Sequence, residues 1–313
     1  VAELPPITPF AGVPQPPEDQ ARAAIIPVPL ESTVSYRPGT ALGPTALMAA
    51  SAHMELYDEL DLLREEPISR GILTRPAVDT QGTVAEVLAR VRAAVAAELE
   101  AGRLPVLVGG EHTVTLGALT ALVESRGRDF SVVSLDAHLD LRDSYQGQRL
   151  SHACVMRRAV ELGLEVHHLG VRSCSQAEAR FLEERGIVPG WARHLRQDVS
   201  ALDDHLWGIR PGPVYISIDV DVLDPSIMPA TGTPEPGGLD WHDLTDILID
   251  LCSCHPVVGL DLVELAPLPG LAAPDFTAAR LLYRALGLAL RGPNPRAVAL
   301  HRQRWEEWEK QSL

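Results

Sequence analysis

The sequence predicts an α/β protein whose mostly parallel sheet is covered by helices on both faces. Two observations carry this expectation. Short runs recur along the chain, "AIIPVPL", "LPVLVGG", "FSVVSLD", "EVHHLGV", "PVYISID" and "PVVGLDLVEL", each apolar at odd and even positions alike, as strands buried on two faces are. Segments of helical periodicity lie between them, and strands alternating with helices build parallel sheets through crossover connections.

Taken in order, residues 1–20 hold six prolines and little periodicity, so they are expected to form an extended arm over the domain or a neighbouring subunit. Residues 21–313 show no repeat and no linker and are expected to be a single domain. After the first apolar run, a helix is expected over Pro44–Met54. The clearest helix is "TVAEVLARVRAAVAAELEAG", where Val84, Val87, Leu88, Val91, Val95 and Leu99 form one stripe. Thr83 and Glu86 have capping-box spacing, and Gly102 stands where a left-handed C-cap belongs. Further helices are expected over Thr115–Glu124, His152–Leu162, Gln176–Arg185, Trp241–Cys252 and Phe276–Leu290, each following one of the apolar runs.

Composition narrows the function. The 313 residues are 46% hydrophobic, enough for a large core. Asp and Glu number 42 against 27 Lys and Arg, a formal charge of −15, which disfavours a phosphate backbone as partner and attracts cationic small molecules. Four cysteines, Cys154, Cys174, Cys252 and Cys254, are too few and scattered for a disulfide framework. Cys252 and Cys254 lack a second pair at zinc-finger spacing and read as helix or core packing. With no apolar run of membrane length and no basic-then-apolar leader, the expectation is a soluble, cytoplasmic protein.

In a parallel α/β sheet, ligands gather where strands end at their carboxyl edge, and four polar clusters fall there: "GGEH", "SLDAHLDLRD", "DVDVLDP" and Glu264. In an extended "SLDAHLDLRD", Asp136, His138 and Asp140 share one face and alternate with apolar residues. Alone, that pattern describes a half-wet strand as well as a metal site. Asp219 and Asp221 would crowd the same edge, however, and unpaired buried carboxylates cost several kcal/mol or take up a proton. A cation is therefore expected among them. Fully extended, Asp136 and Asp140 stand roughly 13 Å apart at about 3.3 Å per residue, too far to grip one ion unless the chain curls, so two ions suit the count better. His112 supplies a second imidazole, and Gly109 and Gly110 let the backbone turn closely beside it. Two histidines and four aspartates favour Mn²⁺, although Ni²⁺, Co²⁺ or Zn²⁺ would bind the same donors. Two such ions lower the pKa of a shared water toward neutrality.

The motifs "GGEHTVTLGAL", "SLDAHLDLRD", "SHACVMRRA", "YISIDVDVLDPSIMPATGTPEPGGL" and "GLDLVELAP", in this order, resemble the ureohydrolase family of arginases and agmatinases. "STVSYRPGTALGPTALMAAS" and "ELYDEL" resemble its agmatinase branch. The resemblance implies a three-layer α/β/α fold with an eight-stranded parallel sheet, and a trimer or hexamer. It implies that His112, Asp136, Asp140 and Asp219 hold one Mn²⁺ and His138, Asp136, Asp219 and Asp221 the other. Glu264 would bind the guanidinium, as a carboxylate can accept two parallel N–H donors; a salt bridge with Arg280 is its alternative. His152 would shuttle protons and touch substrate, and the implied catalytic group is His152, Glu264 and Asp140. The reaction implied is hydrolysis of a guanidinium group to urea and an amine.

The stretch "YQGQRLSHACVMRR" resembles the agmatinase form rather than the arginase one, so agmatine, giving putrescine and urea, is the first expectation. N1-aminopropylagmatine, guanidinobutyrate, guanidinopropionate and formiminoglutamate are the related alternatives. Ala230 and Leu139 depart from the residues frequent in the family, and Leu139 is expected either to narrow the pocket or to pack behind it. Tyr145, Arg142 and Glu235 lie near the expected mouth without assigned roles, Glu235 reading best as a loop hydrogen-bonding residue. Two rivals remain at this level: a deacetylase-like zinc hydrolase, which needs one ion, and a non-catalytic scaffold on the same fold.

Overall fold

A computed structural model of the protein describes residues 7–59 and 67–312. Eight strands form one sheet: β1 Ala23–Val28, β2 Ile72–Thr74, β3 Leu104–Gly109, β4 Ser131–Leu135, β5 Glu165–Val171, β6 Gly190–Trp191, β7 Val214–Asp219 and β8 Val257–Val263. All neighbours are parallel, in the order β2-β1-β3-β8-β7-β4-β5-β6. The helices are α1 Gly43–Ser51, α2 Val84–Glu100, α3 Thr115–Arg126, α4 Val155–Glu161, α5 Gln176–Arg185, α6 Ala192–Gln197, α7 Val199–Trp207, α8 Trp241–Cys254, α9 Ala273–Arg291 and α10 Pro295–Ser312.

Strand parity divides the interior into two cores. Val106, Val108, Ile216, Ile218, Leu260 and Leu262 face α1, α8 and α9. Leu107, Val132, Tyr215 and Val258 face α2, α3, α4 and α5. The three-layer arrangement follows, because each central strand has apolar side chains on both faces. In α2 the expected stripe is buried at Val87, Leu88, Val91 and Val95, with Val84 and Leu99 packed at its margin. Thr83 and Glu86 complete the expected capping box, and Gly102 takes φ +71 just beyond the helix. A Cβ on Gly117 would come within 2.8 Å of Val91, so the crossing of α2 and α3 depends on that glycine.

Some segments depart from the sequence expectation. β2 and β6 have three and two residues, too few to carry periodicity. Helix α10 was not anticipated, since its surface is largely charged; it is held by the buried His301, whose Nε2 lies 3.2 Å from the Leu206 carbonyl. His152–Cys154 is a 3-10 turn ahead of α4 rather than the first turn of that helix. Of the Pro-rich N-terminal segment, residues 1–6 lie outside the described residues. Within the rest, Phe10 is buried, its N–H donating to Thr74 Oγ1 and that of Ala11 to Ser51 Oγ. Cys252 is buried in α8 without a disulfide, and burial pushes its thiol up to about 12. Among the described residues no helix is long and apolar enough to cross a membrane.

Leu282 on α9 is fully buried and Leu300 on α10 is 56% exposed. Leu282→Ala is expected to cost about 2–5 kcal/mol in denaturant unfolding, and Leu300→Ala within about 0.5 kcal/mol of nothing. Equal costs would show that the core is not where the fold places it.

Candidate metal centre

The four polar clusters arise from four adjacent central strands, β3, β8, β7 and β4, so sheet order alone brings them together. After β3 the chain turns at Gly110, where a Cβ would stand 2.1 Å from the Leu30 carbonyl oxygen. No other residue fits there. His112 then opens a short 3-10 turn leading into α3. β4 ends at Leu135, so Asp136, His138 and Asp140 do not share an extended strand face as the sequence suggested. The chain curls instead. The His138 N–H donates to Asp136 Oδ1 at 2.6 Å, and Asp140 takes φ +51, a conformation L-residues rarely adopt. The curl removes the separation that an extended chain would impose between Asp136 and Asp140. Their Oδ2 atoms both lie beside His112 Nδ1, at 3.2 and 3.1 Å.

Asp219 closes β7, and Asp221 lies in the 3-10 turn Val220–Val222 rather than on the same strand face. The Asp221 N–H donates to Asp219 Oδ1 at 2.9 Å, while Asp219 Oδ2 is 3.5 Å from His112 Nδ1. Asp221 Oδ2 lies 3.0 Å from His138 Nδ1, and Asp221 Oδ1 accepts the Ala137 N–H. Donor atoms within 4.8 Å of one another form two groups that share Asp136: His112, Asp136 and Asp219, then Asp136, His138 and Asp221. Asp140 joins the first through its contact with His112.

Hydrogen accounting tests whether a cation fits. Asp261, buried in β8, accepts from Thr115 Oγ1, Tyr215 OH and Ser217 Oγ at 2.8, 2.6 and 2.7 Å. The single hydroxyl hydrogen of Ser217 is thus spent on Asp261, and its 2.8 Å contact with His112 Nε2 requires the ring to donate. Neutral His112 therefore turns a bare Nδ1 toward three carboxylates. Nδ1 and Asp136 Oδ2 are buried without a hydrogen-bond partner, and lone pairs so opposed need a positive charge between them.

Without an ion, protons fill that role. Burial disfavours a charged His112, yet hydrogen bonds and charge from Asp136 and Asp140 hold its pKa well above the ordinary value. At His138, burial is outweighed by the Asp221 charge and by Asp136, lifting the ring to about 12. Burial, then the Asp136 charge, raises Asp140 to about 7, and burial with the charges of Asp221 and Asp136 raises Asp219 well above the carboxylate range. Asp136 moves the other way: burial opposes its ionisation, but hydrogen bonds from both imidazoles depress its pKa.

Glu264 follows β8 at φ +65, its N–H donating to the Gly110 carbonyl at 2.8 Å and its Oε1 accepting the His112 N–H at 2.7 Å. It makes no pair with Arg280, which instead binds Asp58 and the carbonyls of Glu55 and Tyr57. Burial raises Glu264 to about 8, against the His112 N–H, so a cationic group is what it lacks. A cavity of about 220 Å³ opens over these side chains, with His152, Tyr145, Arg142 and Ser35 on its wall. Burial lowers the pKa of His152, keeping it neutral. Arg142 sits over the Tyr145 ring at 5.4 Å, with Nε 3.8 Å from Glu178. Arg172 does not enter the centre; it donates to the carbonyls of Gly170, Val222, Leu223 and Glu235 and so ties down the Asp221 turn. Glu235 takes part through its carbonyl.

Sequence reading missed the Asp261 network and the left-handed conformations of Asp140 and Glu264. The signal for Asp261 was a carboxylate within the apolar run "VVGLDLVEL"; nothing local marks the others.

Residues 21–287 match the family model described as the Arginase family. The chain is similar to the N(1)-aminopropylagmatine ureohydrolase of Synechocystis sp., 37% identical over 85% of this chain and 89% of that protein. It is similar to the agmatinase of Pyrococcus horikoshii, 35% identical over 85% and 92% of the two chains. Among solved structures, the agmatine ureohydrolase of Thermoplasma volcanium superposes with a TM-score of 0.79 at 30% identity, covering 88% of this chain and 92% of that one.

Adding Mn²⁺ is expected to raise the unfolding temperature, by about 2.7 kcal/mol of stability at a hundred times Kd. Protons and the ion compete for the same imidazole and carboxylate atoms, so affinity should weaken from about pH 8 to about pH 5.5, with proton release on binding. Calorimetry in two buffers of different ionisation enthalpy measures this; binding without proton release would contradict the arrangement described.

Proposed function

Because the chain belongs to the arginase family, we propose that it hydrolyses the guanidinium group of agmatine or a close amine-tailed relative to urea and an amine, agmatine giving putrescine. The observation that carries this reading is Glu264, a buried carboxylate at the cavity wall beside two groups of metal-type donors that share Asp136. His112, Asp136, Asp140 and Asp219 would hold one divalent ion, and His138, Asp136, Asp219 and Asp221 a second. Mn²⁺ is the first candidate, as oxygen donors dominate, with Ni²⁺, Co²⁺ and Zn²⁺ next. When bound, such a pair acidifies water and neutralises charge that develops on the reacting group.

The chain's own residues supply the rest. Glu264 keeps lone pairs beyond the one taken by the His112 N–H, enough to accept a planar guanidinium and fix its carbon over the donor groups. Bound cations and a cationic substrate would favour the ionised form of Glu264 against the burial that raises its pKa. Asp140 would likewise be held as a carboxylate by a bound ion. His152, neutral and on the cavity wall, takes up a proton and delivers it to the departing amine. Cavity size restricts the substrate to a small molecule. A trimeric or hexameric assembly, which the family resemblance implies, and a cytoplasmic location, which the composition suggests, belong to the same reading.

Arg142 at the mouth favours a second reading, a guanidine with a carboxylate tail such as guanidinobutyrate, to the extent that Glu178 leaves its charge free. A panel of agmatine, N1-aminopropylagmatine, guanidinobutyrate, guanidinopropionate and formiminoglutamate, assayed for urea with Mn²⁺-loaded protein, separates these. Urea from an amine-tailed guanidine is the expected result; formamide alone would overturn the assignment. Glu264→Gln is expected to lower kcat/KM roughly 100-fold or more while leaving metal content unchanged.

A further inference from the structure

A second buried carboxylate stands beside the cavity with no part in the reading above. Glu111, fully buried between Gly110 and His112, accepts the N–H groups of Ser32 and Thr33 on Oε2 at 2.5 and 2.7 Å. Its Oε1 accepts the hydroxyls of Thr33 and Thr113 at 2.9 and 2.7 Å. Thr33 Oγ1 in turn accepts the His152 N–H at 3.1 Å and lies 3.0 Å from His152 Nδ1. Ser151 Oγ approaches the same nitrogen only to 3.4 Å.

A threonine hydroxyl carries one hydrogen, and a carboxylate can only accept. With that hydrogen directed at Glu111, the contact between Thr33 and Nδ1 closes only if the ring is the donor. The opposite arrangement would set two acceptor oxygens 2.9 Å apart in a buried site, which is costly. We propose that Glu111 and Thr33 are positioning residues that fix His152 as its Nδ1–H tautomer, leaving Nε2 bare toward the cavity. Nε2 makes no hydrogen bond among the described residues. The edge-on Tyr145 ring, 5.6 Å away at 75°, fixes the remaining freedom of the imidazole. The inference rests on the reading that His152 carries a proton, since it supplies the atom at which that proton is taken up. A proton gained at Nε2 makes an imidazolium whose Nδ1 side is already bonded toward a carboxylate, the orientation that stabilises it.

The tautomer is directly observable. Nitrogen-15 histidine spectra of the full-length protein loaded with diamagnetic Zn²⁺, with His152 assigned by its loss in His152→Gln, should show Nδ1 protonated and Nε2 bare. Thr33→Val should give mixed tautomers and a kcat lower by about 10- to 100-fold with KM within about twofold, and Thr33→Ser should restore both. Glu111→Gln, whose amide can donate to Thr33, should invert the relay and protonate Nε2. A wild-type signal with Nε2 protonated, or an unchanged tautomer in Thr33→Val or Glu111→Gln, overturns the proposal, and the wild-type spectrum decides even if a variant fails to fold. Failure of every guanidine to yield urea while the Nδ1–H tautomer holds would remove the functional reading and leave the tautomer assignment supported.

Discussion

Four aspartates and a glutamate meet at one buried edge of the sheet, and their mutual repulsion is the constraint on which the rest of the structure depends. Carboxylates so placed must be protonated, hydrogen-bonded or set against a cation. The upward pKa shifts of Asp140, Asp219 and Glu264 and those of both imidazoles express one demand, a positive charge at the centre. Arg172 is spent on backbone carbonyls, and Arg142 lies over the Tyr145 ring at the cavity wall.

Orientation of the lone pairs is imposed from behind. Asp261 takes the Ser217 hydrogen, Ser217 takes the His112 Nε2 hydrogen, and Nδ1 is left bare. Glu111 and Thr33 repeat that logic at His152 with the two ring nitrogens exchanged. In each case an acceptor-only carboxylate starts a chain of hydroxyls whose last member can accept but not donate. A histidine facing carboxylates and a histidine facing a cavity thus acquire different free nitrogens by the same device.

Among the described residues four non-glycine residues take positive φ, Ala11, Asp140, Gln146 and Glu264, and two of them stand at the metal centre. Asp140 and Glu264, on the loops that follow β4 and β8, both have positive φ. Each is held by long-range bonds: the Asp140 carbonyl accepts the Arg157 N–H, and the Glu264 N–H donates to Gly110. A left-handed residue costs of order 1–3 kcal/mol, and here the turn brings each side chain back over the strand ends instead of along the strand direction.

Local physics made much of this legible beforehand. The limits of β5 and α5, the capping box at Thr83 and the positive φ of Gly102 were all readable, because periodicity and caps depend on residues within a few positions of each other. The chemistry of His112, Asp136, His138, Asp140, Asp219, Asp221 and Glu264 was equally visible, since each stands where an apolar run ends. What tertiary structure decided was adjacency: β3, β8, β7 and β4 lie side by side although β8 follows β3 by nearly half the chain. That order lets Ser217 of β7 reach His112 beyond β3. The curl at Asp140 and the turn at Glu264 were hidden for the same reason, because their unfavourable backbone angles are stabilised by partners that the sequence places far away.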